Sequence, residues 1–271
     1  MTQVDAPVAA LVAAGGVAKP DDPLYPLVRE SPKALLPIAG KPMAQWALDA
    51  LAGSDRIGQV VVVGLAPESG LTCGDKPLDF IPSAGSMVAN ARAGLQRVLQ
   101  LNPSATRTLW VSADIPTVRA EHFNWLVDES LKTGDDFCYS LIERSVMEKR
   151  FPGSRRSYTH LKGATVCGGD ASLLATRLVK GNNPIWEEIT KARKNVFKQA
   201  SLIGYQTLLL LALRQLTAER AVQLVSKKLG MTGRPVFCPY AEVGMDVDKP
   251  FQYELVARDL EGRRVNATHE G

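Results

Sequence analysis

The sequence predicts an α/β protein built on a mostly parallel sheet, with a helical insertion in the C-terminal half. Three observations carry this expectation. Short apolar runs alternate with amphipathic stretches through the first half, helical periodicity takes over from Asp170 to Gly230, and an apolar run at Pro235–Cys238 leads into a closing helix near Pro250. At 271 residues the chain can form one large domain with a substantial core, the helical segment being inserted at about 170–230.

Taken in order, strands are expected at Ala6–Ala13, Gln59–Val63, Thr108–Ser112 and Phe137–Ile142, each an apolar run of strand length. Helices are expected over Pro42–Leu51, Ser86–Leu99 and Ala120–Thr133; Pro42 suits a first turn, where a missing N–H leaves nothing unpaired. Strand, turn and helix recur, the pattern of a doubly wound layer. From Asp170 onward the apolar marks are Leu173, Leu174, Leu178, Ile185, Ile189, Phe197, Leu208–Leu211, Leu216, Val222 and Leu229, with breaks at Gly181–Pro184 and near Gly204. The longest apolar stretch, Ala200–Leu213, falls short of the roughly 20 residues that a membrane span requires, so it reads as a buried helix, with interfacial docking as the alternative.

Composition sets the class. Hydrophobic residues make up 45% of the chain and charged residues 22%, as in ordinary soluble proteins. A net charge of +4, with no basic run interleaved with aromatics, gives no support to a nucleic-acid partner. Cys73, Cys138, Cys167 and Cys238 form no C-x-x-C pair, and no signal-peptide pattern opens the chain, so reduced thiols and a cytoplasmic location are expected. His122 and His160 lack metal-ligand spacing and read as structural or surface residues, and Lys191, Arg193 and Lys194 as a solvated helix face.

The chemistry gathers at strand ends. Gly15 and Gly16 close the first apolar run, where the absence of Cβ lets the backbone turn sharply and present amides to anionic oxygens. The G-x-G-x-x-G spacing and the Walker loop are both absent, which argues against a dinucleotide fingerprint. Lys33, set between Pro32 and an apolar run, is expected on an extended segment near the glycine turn, where its charge stabilises an attacked phosphate. Asp114 ends another apolar run; at a buried strand end a carboxylate needs a cation or donors. Asp246 and Asp248, two residues apart, share a face if extended, forming either a cation site or a repulsive pair. Gly85 and Ser86 open a helix with Asn90 and Arg92, either as an N-cap or as a contact for an anion or base edge.

Leu11–Gly16 (LVAAGG), Pro32–Pro42 (PKALLPIAGKP), Gly85–Leu95 (GSMVANARAGL), Val111–Pro116 (VSADIP) and Gly244–Pro250 (GMDVDKP) together resemble the MobA-like NTP transferases, whose fold is GT-A-like and Rossmann-type. The resemblance implies a three-layer nucleotidyltransferase fold. It implies a nucleotide held by Leu11, Ala13, Ala14, Gly15, Gly16, Lys19, Lys33, Gly85, Ser86 and Asn90, with Lys33 and Asp114 catalytic. Mg2+ is then held by Asp114 with Asp248 as first choice and Asp246 as second, and Gly168, Gly169 and Asp170 form a glycine turn facing the acceptor. After its glycines the family usually has a glycine and then an arginine. Here the chain reads Val17-Ala18-Lys19 and then Pro20–Pro26, so the basic contact is Lys19 or Arg29.

The implied reaction transfers a nucleoside monophosphate from an NTP to a phosphorylated small-molecule acceptor, releasing pyrophosphate. The alternatives are a sugar-1-phosphate nucleotidyltransferase and a nucleotide-binding regulatory protein without turnover. No nucleic acid and no membrane span are expected, and a homodimer is the candidate assembly.

Overall fold

The computed structural model describes residues 6–179, 214–228 and 230–269. In chain order, strand β1 (Val8–Ala13) leads through helix α1 (Tyr25–Val28), the hairpin β2 (Pro37–Ile38) and β3 (Lys41–Pro42), and helix α2 (Met43–Ala52) to β4 (Ile57–Val63) and β5 (Leu78–Ile81). Then come α3 (Met87–Leu101), β6 (Arg107–Ser112), α4 (Ala120–Leu131), β7 (Phe137–Glu143), α5 (Arg144–Arg150), β8 (Thr159–Leu161) and β9 (Ala164–Ala175). The described C-terminal part holds α6 (Ala218–Lys228), β10 (Gly233–Phe237) and α7 (Pro250–His269).

The main sheet runs β10-β7-β9-β6-β1-β4-β5, with β8 paired to β9. β1 is parallel to β4 and β6, β4 to β5, and β7 to β10, while β9 runs antiparallel to β6 and β7. A mostly parallel α/β architecture is therefore what the chain adopts. β1 is apolar throughout because both its faces are covered. Val8, Ala10 and Val12 join the core shared with α2 and α4, whereas Ala9 and Leu11 pack with Val61, Val63 and Val98 of the α3 side. On α2 the buried stripe is Met43, Ala44, Ala47, Leu48 and Leu51, the spacing of one helical face. Pro42 ends β3 and stands just before α2, one position short of the expected first turn.

One segment departs from the expectation of helix. Residues from Asp170 to Ala175 belong to β9, so Leu173 and Leu174 are strand residues, and the described helix of this region is α6. The reason is burial on both faces: Leu173 joins the main core while its neighbour Leu174 packs with Leu95 and Leu178, so the apolar residues need not alternate, and a continuous apolar run does not distinguish strand from helix. Ile185, Ile189, Phe197, Leu208–Leu211, the basic cluster Lys191–Lys194 and the stretch Ala200–Leu213 lie outside the described residues. Among the described residues no helix is long and apolar enough to cross a membrane. All four cysteines are buried free thiols; burial pushes Cys73 up to about 11 and Cys238 up to about 12, so neither is a thiolate at neutral pH.

Two contacts fix the layers that carry the site. A methyl group on Gly94 of α3 would overlap the Leu11 side chain, so glycine there lets the helix lie directly on β1. On the other side, the buried ring of His122 stacks on Tyr240 at 4.5 Å between centroids, pinning the connection from β10 to α7 against α4. His122 Nδ1 accepts the Arg119 N–H at 3.2 Å, so the neutral ring serves as the helix cap.

Gly94→Ala removes a helix-breaking residue yet should destabilise the protein by about 1–3 kcal/mol, because overpacking exceeds the gain in helix propensity. Denaturant unfolding checks the sign. Burial holds His122 below its ordinary pKa, against the raising effect of Glu242 and Glu121 and with the lowering effect of Arg119 and Arg263. The unfolded chain therefore takes up the proton first, and the stability contributed by neutral His122 is present above about pH 6.5 and lost as pH falls through the lower folded value. Melting curves from pH 8 to 5 should show a smaller drop for His122→Asn than for the unaltered protein.

Candidate active site

β4, β1 and β6 end flush: Ala13 pairs with Val63 on one side and with Ser112 on the other. The turns that follow leave from one edge of the sheet, so Gly15, Gly64 and Asp114 emerge side by side at the carboxyl ends of parallel strands, where such sheets bind ligands. Gly64 has φ of 101°, and a Cβ there would run into the Gly15 backbone; a Cβ on Gly15 would lie 3.1 Å from Ser83 Oγ. Gly16 faces open space, with nothing within 4 Å of a Cβ placed there. The turn is thus closed behind and open in front. Leu11 is buried under α3, so it supports the turn from below, while Ala13 and Ala14 continue the strand into it.

Lys33 is tied to this turn by its backbone. Its N–H donates to the Gly16 carbonyl at 2.9 Å, and Val17 bridges to Pro32. Lys33 opens a single 3-10 turn, Lys33–Leu35, rather than lying on an extended segment; Pro32 before it is extended. The Lys33 ammonium lies 2.5 Å from Asp22 and 3.9 Å from Asp248. Asp22 itself is held by the Leu24 N–H at 2.9 Å. Lys19 and Arg29 are both exposed, and among the described residues neither makes an ion pair with an acidic side chain. Arg29 has a left-handed φ of 50°, a strained position for a side-chain-bearing residue.

Asp114 is the centre of the acidic side. Its Oδ1 is buried without a hydrogen-bond partner, and its carbonyl accepts the Val247 N–H at 2.9 Å, bringing the Gly244–Pro250 segment alongside. Burial raises its pKa above the usual carboxylate range, opposed by a Ser112 hydrogen bond and reinforced by the charge of Asp248. Asp170 is pushed up to about 7, by burial first and then by the charge of Asp114, with Arg156 acting the other way.

Gly168, Gly169 and Asp170 do not form a turn; they lie within β9. Between the pairs Tyr139↔Ser172 and Leu141↔Gly168, β7 advances by two residues while β9 covers four, so the ladder is irregular here. Such bulges re-aim side chains next to active sites. The glycines are required by packing: Cβ atoms would strike the Tyr139 hydroxyl at Gly168 and the Ser140 hydroxyl at Gly169. Asp170, one residue beyond the Val111↔Ala171 pair, is brought to the cleft edge beside Asp114.

Asp246 and Asp248 meet different partners. The Asp246 side chain is only 12% exposed and is ion-paired with Arg156, whereas Asp248 is 54% exposed and approaches Lys33. The segment bearing them is anchored by Glu242, which Arg150 contacts at 2.7 Å, and by Arg150 and Arg263 to Asp259, each at 2.7 Å. Opposite, Ser86 caps α3 by accepting the Ala89 N–H at 3.1 Å, and the Asn90 carboxamide oxygen accepts the Ala84 N–H at 2.7 Å. Gly85, with φ of 84°, turns the chain between them. Ser86 and Asn90 therefore shape this loop.

Asp22, Arg156, Gly64 and Glu242 were not singled out from sequence. Gly64 carried a readable signal, closing the run Val60–Val63 as Gly15 closes β1; the other three sit in no recognisable spacing. Among the described residues, Asp22, Asp114, Asp170, Asp246 and Asp248 face only Lys33 and Arg156, an excess of negative charge. Among the described residues no three acidic, histidine or cysteine side chains converge tightly enough to cage a metal alone. Mg2+ does not ask for such a cage, taking one or two carboxylates and completing its shell with phosphate oxygens and water. The unpartnered Asp114 oxygen and the surplus charge fit that ion.

A family model described as the MobA-like NTP transferase domain matches residues 10–225. A solved structure of a hypothetical transferase from Thermus thermophilus is 29% identical, with TM-score 0.77, covering 91% of this chain and 99% of that one. CMP:2-keto-3-deoxy-manno-octonic acid synthetase complexed with CTP is similar in fold, at 13% identity and TM-score 0.59 over 95% of this chain and 100% of that one. So is 2-C-methyl-D-erythritol 4-phosphate cytidylyltransferase, also from Thermus thermophilus, at 16% identity and TM-score 0.54 over 94% and 98%. No curated protein matches the chain in sequence. The glycine turn, the strapped lysine and the strand-end aspartate thus sit in the framework that the family match spans, and the chain belongs to the MobA-like NTP transferase domain family.

Proposed function

We propose that the protein transfers a nucleoside monophosphate from an NTP to a phosphorylated small-molecule acceptor with Mg2+, releasing pyrophosphate. The observation that carries this reading is the buried, unpartnered Asp114 oxygen at the edge where the glycine turn and Lys33 meet. A bare carboxylate oxygen in that position costs free energy unless a cation joins it during function. The fold neighbours named for CTP binding and cytidylyl transfer support a nucleotide at this cleft without choosing the base for this chain.

In the proposed reaction an acceptor phosphate oxygen attacks the α-phosphorus, the bond to the bridging oxygen breaks, and pyrophosphate leaves. No protein nucleophile is required; the chain contributes position and charge. Gly15 and Gly16 present backbone amides to the triphosphate, with Lys19 or Arg29 as the further basic contact. Lys33 exchanges Asp22 for the phosphates and stabilises charge on the α-phosphate. Asp114 and Asp248 would hold Mg2+, which supplies neutralisation of the phosphate charge. Gly85, Ser86 and Asn90 form the loop proposed to face the base and ribose, and Asp170 faces the acceptor. A cytoplasmic protein, with a homodimer as its assembly, completes the proposal.

Pyrophosphate release measured across the four NTPs and a panel of phosphorylated acceptors tests the reading, together with calorimetry of each NTP with and without Mg2+. Turnover with at least one pair is expected; absence of binding by all four nucleotides removes the proposal. Asp114→Asn should abolish metal-dependent turnover while leaving the melting temperature equal or higher, because the substitution removes a buried charge that burial already disfavours. Lys33→Met should lower turnover about a hundred-fold or more, the scale of losing one preorganised charge or donor at a developing anion.

A further inference from the structure

Asp170 and Asp246 share one guanidinium, that of Arg156, while the charges of Asp114 and Asp248 also act on Asp170. Arg156 lies in the connection between α5 and β8, and its side chain is only 14% exposed. One end of its fork is paired with Asp246; the other lies 3.4 Å from Asp170 and 3.4 Å from the Gly168 carbonyl. Its Nε is buried without a partner, so the group is held from the fork side alone. The three groups it holds come from β9 and from the segment ahead of α7, which among the described residues no backbone hydrogen bond of the main sheet joins directly. A planar fork suits this, since it can engage two carboxyl groups at fixed geometry where a lysine could act only as a point charge.

The distribution is uneven. Asp246 is buried with a cation of its own, whereas Asp248 is largely exposed, with Lys33 as its nearest cation at 3.9 Å, and Asp114 keeps a bare oxygen. We propose that Arg156 is a positioning residue: it takes Asp246 as its counter-ion and restrains Asp170, leaving Asp114 and Asp248 as the carboxylates open to a cation. The family resemblance ranks Asp248 ahead of Asp246, and the Arg156 contact supplies a physical reason for that order. The inference rests on the proposed metal-dependent reading of this cleft and assigns which of its acids serve that metal.

The test is calorimetric titration of the full chain with Mn2+ in the absence of nucleotide. The double variant Arg156→Met/Asp246→Asn removes one positive and one negative group of similar size, so it keeps the local charge and should bind Mn2+ within about three-fold of the unaltered protein. Asp248→Asn should weaken binding by more than about ten-fold, as expected for a lost ligand. Arg156→Met alone should tighten binding about ten-fold, since a unit positive charge beside a divalent ion has been removed, and Arg156→Lys, which keeps the charge without the fork, should return only part of the way to the original affinity. A general loss of structure would weaken all four alike. If the double variant loses as much affinity as Asp248→Asn, Asp246 is a ligand and the inference is overturned; should Arg156→Met fail to fold, the charge-neutral pair still decides. Absence of Mn2+ binding by the unaltered protein would overturn the cation reading and this assignment with it.

Discussion

Two backbones, those of Gly15 and Gly64, touch with no room for a side chain between them, and the cleft is built outward from that contact. It sets how sharply the chain leaves β1. Because β1 is flanked in register by β4 and β6, the same edge also fixes where Asp114 stands. Lys33 is then hung from the Gly16 carbonyl, and Val247 from the Asp114 carbonyl. Lys33 and the segment carrying Asp246 and Asp248 are thus placed by main-chain hydrogen bonds next to strand ends, which position them more firmly than a flexible side-chain contact would.

On that frame the charge is left unbalanced. Among the described residues, the nearby network of Arg150, Glu242, Asp259 and Arg263 balances its charges, two bases meeting two acids. At the cleft the acids exceed the bases, and burial raises the pKa of Asp114 and Asp170 instead of being relieved by partners. A fold able to neutralise four ions a short distance away has no general difficulty in doing so. The imbalance at the strand ends is a local property of the site, sustained by the core beneath it.

Much of this was legible in the sequence, for physical reasons that differ by element. β1, β4, β6 and β7 announce themselves as apolar runs bounded by turns, and their observed limits fall close to those expected. Gly15 and Asp114 were legible because each closes such a run and Lys33 because it opens one, and the structure brings them to one edge. β9 was not, because a strand covered on both faces lacks alternation and its Gly168-Gly169-Asp170 reads locally as a turn; only the hydroxyls of Tyr139 and Ser140 on the neighbouring strand explain the glycines. Arg156 and Asp22 were hidden for another reason. Their partners lie 90 positions away in Asp246 and 11 away in Lys33, distances over which local pattern carries no information.

The antiparallel β9 has a further bearing on how the molecule comes into being. β7 and β10 reach the rest of the sheet only through β9, which borders β6 on one side and β7 on the other. During synthesis from the N-terminus, β5, β4, β1 and β6 can pair among themselves as soon as they emerge, and with them the glycine turn and Asp114 are in place. Asp170 and Asp248 arrive later, one on the strand that joins the halves and the other just ahead of the last helix. The nascent chain therefore carries the Gly15–Gly64 turn well before its acids can gather, and the acidic centre is completed only once the segment just ahead of α7 has emerged.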